Sequence, residues 1–101
     1  MNQEVIDRER ALETLRRHKD EFEERYGVTR IGIFGSVARD EVKDESDIDV
    51  VVEMAKPDLF YMVHIKEILE KDFQRPVDIV HLRDKMNLVL KERINREAIY
   101  V

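Results

Sequence analysis

Apolar residues recur at helical spacing through the first quarter of the chain, against a strongly charged background. Leu12, Leu15, Phe22 and Tyr26 belong to this pattern, while most residues between them are charged. Such spacing is typical of an amphipathic helix with one face on a core. Gly27 follows, and glycine often ends a helix in the left-handed conformation. The pattern therefore predicts a first helix over residues 3–26.

Three short segments rich in β-branched residues follow, and each is bounded by residues that favour turns. The predicted strands are residues 29–34, 48–53 and 77–81. The first ends at Gly35, the second begins after a polar turn at 43–46, and the third follows Pro76, which prevents continuation of a helix. Ile31 and Ile33 share one face of the first strand.

Helical patterns separate these strands. The predicted helices run from an N-cap at Ser36 through residue 42, from a cap at Asp58 to about Phe73, and from Asp84 over residues 84–98. The helix after Asp58 has a wide apolar face, which also permits self-association into a homo-oligomer. Residues 99–101 form a last short strand, so the order is α-β-α-β-α-β-α with a terminal strand.

Polar groups at the strand ends make this order more specific. Gly35-Ser36 ends the first strand, whereas Asp47 and Asp49 begin the second after ten intervening residues. These groups meet only if the two strands are antiparallel. Asp78 begins the third strand and reaches the same edge if that strand is parallel to the second, joined by a helical crossover. The predicted fold is α/β (α+β), with a small mixed sheet of three to four strands flanked by helices.

The same residues suggest a magnesium-dependent nucleotide site. Aspartates at i and i+2 on a strand point to one face and can share a divalent ion, so Asp47 and Asp49 are candidate metal ligands. Gly35 lets backbone amides approach a phosphate, and Ser36 adds a hydroxyl at the start of a helix. Each residue also has an ordinary structural interpretation. Ser36 can be a simple N-cap, and an aspartate can be a solvated strand end.

Two further residues complete the candidate set. Asp78 is a candidate third metal ligand and a candidate acceptor for the proton of an attacking hydroxyl. Arg39 lies one turn after Ser36 and can brace a phosphate, although pairing with Asp40 or Glu41 is an equally simple interpretation. Attack on an α-phosphate builds charge on several oxygens, which positioned cations stabilise without a covalent nucleophile.

Length and composition limit the function classes. The 101 residues favour a single domain over 1–101, and the net charge of -5 gives no reason to expect binding to a nucleic-acid backbone. There is no cysteine, and hence no disulfide or thiolate site. The beginning of the chain is charged, and no apolar run reaches membrane-spanning length. We expect a soluble cytoplasmic protein without a membrane partner.

The chain resembles the minimal nucleotidyltransferases of the DNA polymerase beta superfamily. The resemblance rests on Gly-Ser-Val-Ala-Arg at 35–39, Ser-Asp-Ile-Asp-Val-Val-Val at 46–52 and Pro-Val-Asp-Ile-Val at 76–80. It implies the polymerase-beta-like fold and transfer of AMP from ATP with Mg²⁺, two ions being expected, and release of diphosphate. Small members of the family often act as antitoxins that place AMP on a tyrosine of a HEPN ribonuclease toxin. The resemblance thus implies a cognate HEPN toxin as partner.

Two other functions remain open from the sequence. One is a catalytically silent module that binds a nucleotide or neutralises a toxin by complex formation. A purely binding protein has no need of three metal-facing aspartates, which favours the enzyme. The other is a tRNA or antibiotic nucleotidyltransferase, but such enzymes usually need an added domain to shape the acceptor site.

Overall fold

The computed structural model describes residues 6–41 and 47–101. Its elements, in chain order, are α1 Arg8–Tyr26, β1 Val28–Phe34, α2 Gly35–Ala38, β2 Ile48–Met54, α3 Leu59–Phe73, β3 Val77–His81, α4 Leu88–Glu97 and β4 Ile99–Tyr100. The order predicted from the sequence is confirmed. None of the helices in these described ranges is both long enough and apolar enough to cross a membrane.

The four strands form one mixed sheet in the order β3-β2-β1-β4. β1 is antiparallel to β2 and to β4, whereas β2 is parallel to β3. The prediction of a mixed sheet, derived from where the polar groups must meet, is confirmed. The C-terminal end of β1 therefore lies at the same edge of the sheet as the N-terminal ends of β2 and β3.

Helices cover both faces of the sheet. On one face, α1 and α3 pack against β1 and β2 around a core that includes Leu15, Phe22, Ile33 and Ile65, all fully buried. On the other face, α4 packs through Ile94 in a smaller cluster. Its buried members are Phe34, Val51, Leu82 and Ile94. Because side chains alternate along a strand, Asp49 and Val51 share the face that α4 covers.

Several helix boundaries differ from the predictions. The first helix begins at Arg8 because Asp7 caps it by accepting a hydrogen bond from the Arg10 amide, and residues 1–5 lie outside the described residues. The last helix begins at Leu88, since Asn87 rather than Asp84 is its cap. Either residue type is a good N-cap, so composition alone did not choose between them. The Asp58 cap and the Gly27 stop, with φ of 70°, are confirmed.

The short helix after β1 also differs from the prediction. It ends at Ala38, and Asp40 then adopts a positive φ of 59°, which stops helical continuation. Its N-cap is Phe34, without a side-chain cap bond, so the prediction that Ser36 is the N-cap was wrong. Residues 42–46, including the predicted polar turn, lie outside the described residues.

The apolar face predicted for α3 is only partly buried. Ile65, Leu69 and Phe73 pack on the core, whereas Leu59 is 81% exposed and Phe60 is 79% exposed. The apolar stripe of the sequence is therefore wider than the surface it covers.

Candidate active site at the strand edge

Gly35 forms the sharp turn between β1 and α2. Its φ is 73°, a left-handed conformation that glycine adopts without steric cost. A Cβ at this position would collide with the carboxylate of Asp49, since the Asp49 Cγ atom is 3.1 Å away from where that Cβ would stand. Ser36 follows in the first turn of α2 and is half-buried. The Gly-Ser turn thus lies directly against the start of β2.

Asp49 and Asp78 are neighbours on parallel strands. They are paired in the register of β2 and β3, so their side chains emerge from the same face of the sheet. Burial raises the pKa of Asp49, and the charge of Asp78 and then that of Asp47 raise it further, while Arg93 and Arg39 act in the opposite direction. The pKa of Asp49 is therefore raised mainly by burial, with the neighbouring carboxylates adding to the rise.

The structure places Asp47 just before β2, which begins at Ile48. Its side chain is exposed, as is that of Asp78, whereas Asp49 is half-buried. The prediction that the three aspartates meet at one edge with the Gly-Ser turn therefore agrees with the positions found. Asp49 is the member closest to Gly35.

The donor set suits a hard divalent cation. Within 6–41 and 47–101, no three side chains of ligand type are already gathered into a metal cage. Asp49 and Asp78 nevertheless offer adjacent carboxylates, and oxygen donors are those that Mg²⁺ prefers. A bound cation would relieve the repulsion that raises the pKa of Asp49.

Arg39 ends α2 on the solvent side of the turn. Its Nη1 donates to Glu97 at 3.0 Å and its Nε donates to Glu41 at 3.3 Å. The hydrogen bond with Glu41 raises the pKa of Arg39, burial lowers it, and the charge of Glu97 adds to the rise. The sequence interpretation that Arg39 pairs with Glu41 is confirmed, but the contact with Glu97 was not expected.

Two residues of α4 also reach the site, although neither was predicted from the sequence to belong to it. Glu97 accepts a hydrogen bond from the Gly35 amide at 3.2 Å, and Arg93 donates to Glu97 at 3.3 Å. The order of the elements could have predicted that the end of α4 lies near the site. A helix that follows β3 and leads into β4 must return to the Gly35 edge, so its last turn had to lie there.

Comparisons with known proteins agree with this geometry. The family model described as a nucleotidyltransferase domain matches residues 15–101. A relative from Thermococcus cleftensis, named protein adenylyltransferase MntA, is 36% identical over 88 residues, which is 86% of this chain and 88% of that protein. The matched region contains the Gly-Ser turn and all three aspartates.

Solved structures show the same fold. One described as a minimal nucleotidyltransferase is 36% identical with a TM-score of 0.68, covering 87% of this chain and 93% of that one. A toxin-antitoxin structure with AMP-PNP has a TM-score of 0.71 at 22% identity, covering 89% and 70%. A tri-AMPylated Shewanella oneidensis HEPN toxin in complex with an MNT antitoxin has a TM-score of 0.67 at 19% identity, covering 92% and 70%. The last two likenesses concern the fold alone.

Proposed function

Because this chain belongs to the nucleotidyltransferase domain family, we propose that it transfers AMP from ATP to a hydroxyl group of a partner protein. The acceptor in this proposal is a tyrosine of a cognate HEPN ribonuclease toxin, and the modification makes the chain an antitoxin. The observation that carries the proposal is the convergence of the Gly35 turn with Asp49 and Asp78 at one sheet edge.

The names of the similar proteins support the protein acceptor. The Thermococcus relative is named a protein adenylyltransferase, and the Shewanella complex contains an AMPylated HEPN toxin beside its antitoxin. AMP-PNP in another similar structure supports an adenine triphosphate as donor. Because ATP is an intracellular metabolite, the proposal also places the protein in the cytoplasm.

We assign Asp47, Asp49 and Asp78 as ligands of Mg²⁺, with two ions in the active complex. When bound, the metal supplies positive charge beside the phosphate oxygens on which negative charge develops. The carboxylates fit this role because they are neighbouring oxygen donors, and burial followed by the charge of Asp78 raises the pKa of Asp49.

The nucleotide is assigned to the Gly-Ser turn. Gly35 lies against Asp49, and in this proposal the triphosphate contacts the Gly35 amide and the Ser36 hydroxyl while Arg39, at the end of α2, braces a phosphate. The acceptor hydroxyl oxygen forms a bond to the α-phosphorus while the bond from that phosphorus to the bridging oxygen of the diphosphate breaks. Asp78 takes the proton of the hydroxyl, and diphosphate leaves.

The test is transfer of label from α-labelled ATP with Mg²⁺ onto the purified protein of the neighbouring gene. We expect labelling by the native chain and none by the Asp47→Asn/Asp49→Asn variant. Glu53→Gln is the matched control, because Glu53 is an acidic residue on the same strand as Asp49 but at its opposite end. It should label like the native chain.

The result that would contradict the proposal is tight binding of the neighbour protein with no transfer from any of the four triphosphates. A catalytically silent module that acts by complex formation would then be the better account. Labelling that persists in the double aspartate variant would instead reject the carboxylate assignment.

A further inference from the structure

The partly buried carboxylate of Glu97 lies against the Gly35 turn. Only 15% of the Glu97 side chain is exposed, and its two oxygens have different partners. One oxygen accepts from the Gly35 amide at 3.2 Å and from Arg93 at 3.3 Å, and the other accepts from Arg39 at 3.0 Å. Glu97 is thus held by one backbone amide and two guanidinium groups.

This set of donors is suited to a phosphate group. A phosphate oxygen, like a carboxylate oxygen, is a strong acceptor for backbone amides and for the planar fork of arginine. Gly35 is 62 positions from Glu97 in the sequence, and Arg39 is 58 positions from it. Their convergence therefore depends on the folded sheet and on α4 together.

Arg93 is close to both halves of the assigned site. One of its terminal nitrogens is 3.2 Å from the position that a Cβ on Gly35 would occupy, and its guanidinium lies 5.6 Å from the centre of the Phe34 ring. Its charge lowers the pKa of Asp49, opposing the effects of burial and of Asp78. Arg93 therefore lies beside both the glycine turn and Asp49, close to where the phosphates of a bound triphosphate would lie in the proposed function.

We propose that Arg93 and Arg39 together bind the phosphate groups of the nucleotide, and that these phosphates replace the carboxylate of Glu97 as the acceptor for both arginines. This inference rests on the proposed function, because it assigns residues to the same nucleotide site. In the nucleotide-free protein, Glu97 keeps the two guanidinium groups and the Gly35 amide oriented toward one point. The exchange leaves each donor with an anionic partner in both states.

A purely structural account of Arg93 is an i,i+4 ion pair with Glu97 that stabilises the last turn of α4. The two accounts predict different effects of an Arg93 substitution on ligands that carry different numbers of phosphate groups. A residue that only stabilises the helix affects every ligand alike, whereas a phosphate-binding arginine affects ATP much more than AMP.

The experiment measures binding of ATP and of AMP to the whole chain by calorimetry, with Mg²⁺ and without an acceptor protein. Arg93→Gln should weaken ATP binding about 10- to 100-fold, the range for loss of hydrogen bonds to a charged group, and AMP binding by less than about threefold. Arg93→Lys should recover part of the loss because it restores the charge without the fork. Arg96→Gln on the same helix is the matched control, since Arg96 is exposed, and it should leave both affinities unchanged.

Glu97→Gln tests the replacement step. The amide oxygen can still accept hydrogen bonds, but the competing charge is gone, so ATP binding should become several-fold tighter. Weaker ATP binding in this variant would overturn the replacement. Equal losses for ATP and AMP in Arg93→Gln, or no loss, would overturn the role of Arg93. If the native chain itself binds no triphosphate, the proposed function fails, and this result differs from native binding that the variants leave intact.

Discussion

Asp49 and Asp78 occupy the same register position on the parallel strands β2 and β3, so two carboxylates stand side by side on the face that α4 covers. Burial is the main cause that raises the pKa of Asp49, and the charge of Asp78 is the next. In the absence of a cation, the ionised form of Asp49 therefore opposes folding. The site is therefore a place where function and stability are in conflict.

Asp49→Asn should stabilise the metal-free protein and abolish AMP transfer. Since the folded pKa of Asp49 is raised, the folded protein binds the proton more tightly than the unfolded chain. Stability is then lost as pH rises from the ordinary aspartate pKa through the raised folded value. We expect a Tm a few degrees higher for the variant at neutral pH in chelator, with the difference shrinking in acid.

Addition of Mg²⁺ provides the control for this prediction. The native chain should gain Tm with Mg²⁺, because a ligand of the folded state stabilises it, whereas Asp49→Asn should gain much less. A variant that melts below the native chain at every pH in chelator would contradict the view that the Asp49 charge is uncompensated.

Gly35→Ala should destroy activity at a moderate cost in stability. The left-handed backbone disfavours alanine by about 1–2 kcal/mol, and the new Cβ would also displace the carboxylate of Asp49. Gly27→Ala is the matched control because Gly27 has a similar φ of 70° but no atom within 4 Å of an added Cβ. Thermal melting and transfer of label from α-labelled ATP, measured on both variants, separate the effect of backbone strain from loss of the active site.

We expect both glycine variants to lose stability through backbone strain, Gly35→Ala to lose more because its Cβ also clashes with Asp49, and only Gly35→Ala to lose transfer. Transfer by Gly35→Ala at the level of Gly27→Ala would show that the close approach of Gly35 to Asp49 is not needed for the reaction.

Glu97 should make the protein more stable at neutral pH than in acid. Burial raises the pKa of Glu97, but Arg39, Arg93 and the Gly35 amide lower it by more, and the net direction is downward from 4.5. A lowered folded pKa contributes stability above the ordinary glutamate value, and this contribution is lost as pH falls through the folded value. Urea unfolding of Glu97→Gln should therefore show its largest deficit near pH 7.

The deficit of Glu97→Gln should shrink steadily below about pH 4.5, the ordinary glutamate value. Glu92→Gln serves as the comparison, since Glu92 is an exposed residue of the same helix, and surface changes of this kind usually stay within about 0.5 kcal/mol. A Glu97→Gln deficit that is constant from pH 7 to pH 3.5 would exclude an ionised Glu97 as its source.

Gly32→Ala should detach β4 from the sheet. A Cβ on Gly32 would collide with the carbonyl oxygen of Ile99 and come within 2.9 Å of the Tyr100 ring. Overpacking of this kind costs about 1–3 kcal/mol. Hydrogen exchange at the Val101 amide, which donates to the Ile31 carbonyl at 3.0 Å, should become faster. Unchanged protection of this amide would show that β4 tolerates the added methyl group.

The sequence was sufficient to predict the sheet and the sheet edge at which the three aspartates meet the Gly35 turn, because the evidence for both is local. Strand periodicity, the Gly27 stop and the position of Pro76 each act within a few residues. The direction of the strands followed from requiring Gly35, Asp49 and Asp78 to meet, and the observed pairing agrees.

The remaining features depend on contacts between distant parts of the chain. Glu97 is one of many charged residues, and only the fold places it on the Gly35 amide. The start of α4 was missed for a different reason: Asp84 and Asn87 have similar capping preferences, and Asn87 is the cap that the structure uses. Local propensity cannot decide such cases.

Helix α4 covers the second face of the sheet through Ile94, which is fully buried and lies between Arg93 and Glu97 in the sequence. The same turn that fills this hydrophobic cluster thus sets the position of two charged groups at the strand edge. A substitution at Ile94 should therefore have two effects, because a smaller side chain that the fold survives would still let α4 shift and misalign those groups. Residues far from any ligand can in this way determine how tightly the protein holds one.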